Sequence, residues 1–434
     1  MLKYEYMPNQ EHNYIKRELF EEVVDHLDKK EMTLITGSRQ VGKTVLLEQL
    51  KEYLSEQKNI SLNSIFSYNL DLVQDWEVFQ DQTEFIKFLK ARSEHKIYVF
   101  VDEAQKVPEA ARFFKGVYDS QLNIKLVLTG SSSLEIKAKF KETLSGRKRI
   151  FSLPAFTFFE FLQYQDKVLA EQLAQAKEIN QIDQKQLIKF YKDYLIFGGY
   201  PRVITTANPE EKINVLKEIY SSYIERDIVG FLEIKNKSAF NRLIKLLAGQ
   251  LGQLVNIDEL ATSLSIDRET VERYIFALEQ TFIIKRLTPY FKNSRQEIIK
   301  ANKIYFLDNG IRNLALENFA SLEQRIDKGP LLENAIFSEL LLCQRNKMGQ
   351  LHFWRTKQKT EIDFVVEEGC ELLPIEVKFA LAKEKVTTSF NNFITKFNPS
   401  RALVVNLSIS QKHLVKDKTV VDFIYPFEIR KFLV

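Results

Sequence analysis

The chain has 434 residues, 45% of them hydrophobic, and a formal net charge of +4. That length implies two or three domains with sizeable cores, and so small a charge excludes binding that relies on overall basicity, so any nucleic-acid surface must be local. Cys343 and Cys370 lack C-x-x-C spacing and the five histidines are scattered, which argues against a disulfide framework, a zinc site or a His-rich centre. The first eight residues lack an apolar secretory core and no apolar run reaches membrane-spanning length, so a cytoplasmic protein without membrane contact is expected.

Residues 14–27 have amphipathic spacing and predict a scaffold helix. A short apolar strand at 32–35 follows, then Gly37, Ser38, Arg39, Gln40, Val41, Gly42, Lys43 and Thr44, then helix-type spacing over 45–50. Strand, loop and helix in that order are the setting required for a G-x-x-x-x-G-K-[ST] phosphate loop. The glycines let the backbone approach a nucleotide's phosphates, Lys43 reaches the β/γ-phosphates, and Thr44 can hold Mg2+.

Residues 96–101 form a continuous apolar run, as in a strand buried on both faces of a parallel sheet, ending in Asp102 and Glu103. A carboxylate at a strand's C-terminal end can reach the Mg2+ shell, as Asp102 would, while Glu103 polarises the attacking water. A third strand, 125–129, leads into Gly130 and Ser131, where Thr129 or Ser131 would sense the γ-phosphate. Next comes a basic cluster, with Arg147 or Arg149 either an arginine finger reaching a neighbour's nucleotide in a homo-oligomer or part of a solvated loop.

These motifs, in order with the Pro154-Ala155-Phe156-Thr157-Phe158-Phe159-Glu160-Phe161 run, resemble a widespread prokaryotic family of AAA-type P-loop ATPases with a C-terminal domain of unknown function. Phe197-Gly198-Gly199-Tyr200-Pro201, the Tyr223-Ile224-Glu225-Arg226-Asp227-Ile228 run, residues 303–308 and Leu332-Glu333-Asn334 extend the resemblance over nearly the whole chain. It implies ATP binding by Gly37 to Thr44, Mg2+ and water handling by Asp102 and Glu103, and a sensor hydroxyl near Ser131.

Past this core, residues 170–193 suggest a helical lid or connector, and Gly198 to Pro201 a sharp turn. Arg202 and the Arg226–Asp227 pair would either sit near a neighbouring nucleotide or form a structural ion pair, the reading favoured here. Three helical segments at 239–251, 256–264 and 268–281, then strands at 282–287 and 303–307, predict a winged helix. Its third helix balances Arg268 and Arg273 against Glu269, Glu272 and Glu279, so attraction for DNA phosphates would fall to the wing residues Lys285, Arg286, Lys292, Arg295, Lys300 and Lys303; a protein-interaction or purely structural winged helix is the equal alternative.

The last region predicts a helix over 331–345 and strands over 351–355, 361–366 and 373–378. Strand alternation puts Glu376 and Lys378 on one face. Glu333, Asp363, Glu376 and Lys378 resemble, in order and element type, the motif of restriction-endonuclease-like nucleases. The resemblance implies Asp363 and Glu376 as Mg2+ ligands, Lys378 positioning or deprotonating water, and Glu333 supporting the metal; a solvated strand face is the alternative. Lys357, Lys359, Lys383 and Lys385 nearby favour nucleic acid.

The expected architecture is α/β: an AAA-like parallel-sheet ATPase core over 1–165, a helical connector over 166–237, a winged helix over 238–310 and a restriction-endonuclease-like domain over 311–434. The expected function is Mg2+-dependent ATP hydrolysis coupled to binding or processing of double-stranded DNA; the alternative is an ATP-driven switch for protein assembly or signalling, with the C-terminal domain as a non-catalytic docking module.

Overall fold

The computed structural model describes residues 14–130, 146–175, 179–223, 234, 236–291, 301–345, 347–410, 412–416 and 418–433. The chain forms two compact units: the first runs to Phe156 and takes in Gln280–Phe282, and the second holds the remainder from Thr157 onward.

The first unit is built on a parallel sheet of β1 (Met32–Thr36), β2 (Ile65–Asn69), β3 (Ile97–Asp102), β4 (Ile124–Gly130) and β5 (Lys148–Ser152), in the order β2-β3-β4-β1-β5. Every residue of β1 and β3 is buried, the pattern their unbroken apolar runs predict for strands covered on both faces. Helices α1 (Phe20–Leu27), α2 (Lys43–Glu52), α3 (Val73–Trp76), α4 (Gln82–Lys90) and α5 (Ala110–Asp119) complete the unit. Phe79, Phe85, Phe113 and Phe114 gather in one core cluster with Val99 and Leu126 of the sheet. Because β4 lies between β1 and β3, and β1 meets β5 on its other side, the strand order reverses at β1 and opens a crevice beyond the strands' C-terminal ends.

Two expectations change here. The helix predicted over 14–27 begins only at Phe20, because the preceding residues turn so that the buried Arg17 faces backbone carbonyls. Of the basic cluster at 147–149, for which a solvated loop was one of the two expectations, Arg147 lies in the turn before β5, and Lys148 and Arg149 open the strand, paired to Met32 and Thr33.

In the second unit, helices α6 (Phe158–Gln165), α7 (Lys167–Ala174), α8 (Gln181–Phe197), α9 (Pro201–Thr205) and α10 (Pro209–Tyr220) come first. Thr157 and Glu160 form a capping box at the start of α6, and Asn180 and Asn208 cap α8 and α10. Then come α11 (Lys237–Gly249), α12 (Ile257–Leu264) and α13 (Arg268–Gln280), followed by the antiparallel pair β6 (Ile284–Leu287) and β7 (Lys303–Phe306). Asp308 caps α14 (Asn309–Ala315).

Helix α15 (Lys328–Cys343) leads into β8 (Gln350–Arg355), β9 (Glu361–Glu368) and β10 (Glu371–Val377), an antiparallel meander. Helix α16 (Thr388–Phe397) crosses over to β11 (Arg401–Val405), parallel to β10, and β12 (Lys412–Lys416) and β13 (Thr419–Ile424) finish a six-stranded sheet in the order β12-β13-β11-β10-β9-β8. Phe390, Phe393 and Ile394 of α16 gather with Trp354, Ile362, Val365 and Val404 of that sheet.

Candidate functional site

Beyond β1 the chain wraps into a tight loop before α2. A Cβ at Gly37 would stand 2.2 Å from the Leu153 carbonyl oxygen, so only glycine permits that approach of two backbones. Arg17 braces the loop from outside: its guanidinium donates to Val41 O at 2.7 Å and to Pro154 O at 2.7 Å, and lies 4.7 Å from the Phe156 ring. Sequence reading passed over this residue, because an arginine in an amphipathic segment gives no local sign of a partner more than a hundred residues away.

Lys43 is buried, and its ammonium donates to Gly37 O and Ser38 O at 3.1 and 3.0 Å, curled over the concavity where phosphates would lie. Thr44 Oγ1 donates to Asp102 Oδ2 at 2.6 Å, and Thr129 Oγ1 donates to the other oxygen of Asp102. Thr129 Oγ1 also accepts the Glu103 backbone N–H at 3.0 Å. Glu103 itself sits in the left-handed region at φ 56°, a conformation costing a non-glycine residue about 1 kcal/mol, and its carboxylate accepts from the Gln105 amide.

Thus loop, acidic strand end and β4 hydroxyl converge at one edge of the sheet. Thr44 and Asp102 present two adjacent oxygens suited to Mg2+, which takes one or two protein oxygens and completes its shell from phosphate and water. Arg147 and Arg149 stand instead at the N-terminal ends of the strands, the edge opposite the loop, and Arg147 is held by Asp119 at 2.8 Å. They take no part in this chain's own site. Ser131 lies outside the described residues.

The second cluster stands on β9 and β10. Asp363 and Glu376 lie one step beyond the paired residues Phe364 and Ile375, and Asp363 Oδ2 accepts the Val377 N–H at 2.8 Å. Glu376 Oε1 meets Lys378 Nζ at 3.0 Å and Oε2 accepts from Thr387 at 3.1 Å. Glu333 of α15 faces the same group: burial, then the charge of Asp363, pushes its carboxyl pKa up. Burial works to lower the Lys378 pKa, yet Asp363 and Glu376 outweigh it and raise the value.

Among the described residues no three His, Cys, Asp or Glu side chains form a metal-holding group. By donor type, Asp363 and Glu376 are two carboxylates of the kind that would hold one divalent ion completed by water and phosphate. Lys357 and Lys359 in the β8–β9 turn, and Lys383 and Lys385 after β10, are exposed at the same end of the sheet.

Among the described residues, the three cations expected on the wing pair with carboxylates of this chain. Lys285 and Arg286 pair with Glu279 at 3.2 and 2.9 Å, while Lys303 is buried against Glu361 at 2.6 Å and Glu333 at 3.5 Å. Carboxylates close by outcompete distant phosphates for these cations. Lys292, Arg295 and Lys300 lie outside the described residues, as do Arg226 and Asp227, and Arg202 pairs with Glu218 at 2.6 Å.

Residues 29–162 match a family model described as an AAA domain; residues 188–322 and 328–425 match two described as domains of unknown function, DUF8612 and DUF4143. An uncharacterized protein of Haemophilus influenzae is 27% identical over 413 residues, covering 92% of this chain and 95% of that protein. An uncharacterized protein of Methanocaldococcus jannaschii is 26% identical over 402 residues, covering 85% and 80%. The ORC2 protein of Aeropyrum pernix in its ADP form aligns with a TM-score of 0.34 and 13% identity, covering 72% of this chain and 98% of that one, too slight a likeness to argue from. The matched domain and the loop geometry together support an AAA-type, ATP-binding ATPase domain over residues 29–162. Among the described residues no helix is long and apolar enough to cross a membrane.

Proposed function

We propose that this chain is a Mg2+-dependent ATPase whose nucleotide cycle serves a nucleic-acid-processing module at its C-terminus. In the ATPase half, loop N–H groups and Lys43 hold the β- and γ-phosphates. Asp102 and Thr44 would hold Mg2+, which supplies charge neutralisation on the transferring phosphoryl group. Glu103, fixed by the Thr129 bond to its own backbone, orients the attacking water and takes its proton.

In the C-terminal half, a helix, a three-stranded meander, a crossover helix and a parallel strand carry Glu333, Asp363, Glu376 and Lys378, the order read as a restriction-endonuclease-like domain. The observation that carries the nucleic-acid reading is the meeting of Asp363, Glu376 and Lys378 at a sheet end rimmed by exposed lysines. Asp363 and Glu376 would hold one divalent ion, which polarises the phosphate; Lys378 orients the water that attacks it. The three helices and hairpin of 237–306 support a winged helix as connector. A homo-oligomer in which Arg147 or Arg149 serves a neighbour remains part of this proposal.

The second reading, an ATP-driven assembly switch with a docking C-terminal domain, is favoured by the pairing of Lys285, Arg286 and Lys303 with carboxylates of this chain. One assay separates the two: plasmid and linear DNA incubated with protein and Mg2+ or Mn2+, with and without ATP, for wild type and Asp363→Ala. Cleavage present in wild type and lost in the variant is the expected result. ATP turnover without cleavage under every condition would leave the switch reading standing.

A further inference from the structure

Strand β7 belongs to the hairpin that follows α13, yet two of its side chains enter the carboxylate cluster of β9, β10 and α15. Lys303 is 1% exposed, with its ammonium 2.6 Å from Glu361 Oε1 and 3.5 Å from Glu333 Oε1. Tyr305 donates its hydroxyl to the same Glu333 oxygen at 2.5 Å. Gly252 closes the remaining side: a Cβ there would stand 2.7 Å from Glu333 Oε1. Arg355 takes the other oxygen of Glu361 at 2.6 Å.

Charge decides what such a cluster accepts. Glu333, Glu361, Asp363 and Glu376 face Lys303, Arg355 and Lys378, so the chain's own cations leave a formal charge of only −1 for a bound metal. Two divalent ions a few ångströms apart need several uncompensated carboxylates between them.

We propose that Lys303 is the built-in second cation of this site: its ammonium takes the place beside Glu333 that a second divalent ion would require, so the site accepts one divalent cation, at Asp363 and Glu376, and no second. The inference rests on reading the carboxylates as a metal site. It also makes the site a joint product of hairpin and sheet, since the cation arrives on β7.

The test is Mn2+ titration of full-length, nucleotide-free protein, with free ion followed by electron paramagnetic resonance. Wild type is expected to bind one ion that Asp363→Ala loses. Lys303→Met is expected to gain a second ion or to bind the first about tenfold more tightly, and Lys303→Met/Glu361→Gln, with the charge balance restored, to return to wild-type affinity. An Asp363-dependent ion unaffected by Lys303→Met overturns the role of Lys303, as does tightening that persists in the double variant. Absence of any Asp363-dependent ion in wild type overturns the metal-site reading itself. Where Lys303→Met does not fold, Glu361→Gln reads the same charge from the other side: about tenfold weaker binding supports the proposal, and unchanged binding overturns it.

Discussion

Thr44 and Asp102, 58 positions apart, are joined by a hydrogen bond of 2.6 Å between hydroxyl and carboxylate. Each was read as a Mg2+ ligand on separate grounds, one from a loop motif and one from a strand end. Their contact brings together the two oxygens that would hold a single Mg2+ in the proposed ATPase.

Glu103→Gln should leave nucleotide affinity within about threefold of wild type and lower ATP turnover by about a hundredfold or more, because the amide cannot take water's proton. Lys43→Ala should lose affinity as well as turnover. Fluorescent-nucleotide titration alongside phosphate release separates the two effects; equal loss of affinity in both variants would refute the role given to Glu103.

Arg17→Gln should destabilise the first unit by about 2 kcal/mol, since the buried carbonyls of Val41 and Pro154 lose a charged donor. Nucleotide affinity should fall in parallel, because the brace holds the loop's shape. Thermal unfolding with and without ATP checks both, and an unchanged midpoint would remove Arg17 from the loop's support.

Asp308 joins two distant segments, accepting the Gly199 N–H at 2.7 Å and the Ile311 N–H at 2.9 Å. Asp308→Ala strips a helix cap and strands a backbone donor, at a combined cost of about 2 to 4 kcal/mol. Urea unfolding of the full chain should show a lower midpoint with little change in slope.

The pH dependence has a definite sign at His26, whose pKa is lowered to about 4 by burial, then by the neighbouring Lys125 and Arg149. Below its ordinary value of 6.5 the unfolded chain takes up a proton that the folded one refuses. This contribution to stability is therefore full above pH 6.5 and is lost as pH falls toward 4, by about 3 kcal/mol. His26→Gln keeps an acceptor for Thr33 and Lys125 and should flatten the change between pH 7.5 and 4.5 in urea titrations, where about 2.5 kcal/mol less should separate the two conditions. An equal slope in both proteins would assign the loss to other groups.

The motifs of the first unit were legible because each is local: the spacing from Gly37 to Thr44 and the run ending at Asp102 carry their meaning within ten residues. Glu376 and Lys378 were legible for the same reason, since strand alternation alone puts them on one face. Arg149 could not be placed by composition, because a basic residue in a short edge strand looks like one in a loop. Only its pairing with Thr33 fixes it at the far edge of the sheet.

The sequence by itself determined which residues could carry phosphate, metal and proton chemistry, because backbone period and side-chain type suffice for that. Tertiary structure alone decided which charges meet. Lys303 looked like wing charge for DNA and is instead buried between Glu333 and Glu361, and Arg17, one residue of an expected scaffold helix, is the brace of the phosphate loop. A charge's partner depends on chain segments brought together from far away, and Coulomb attraction at contact distance exceeds anything local patterning can encode.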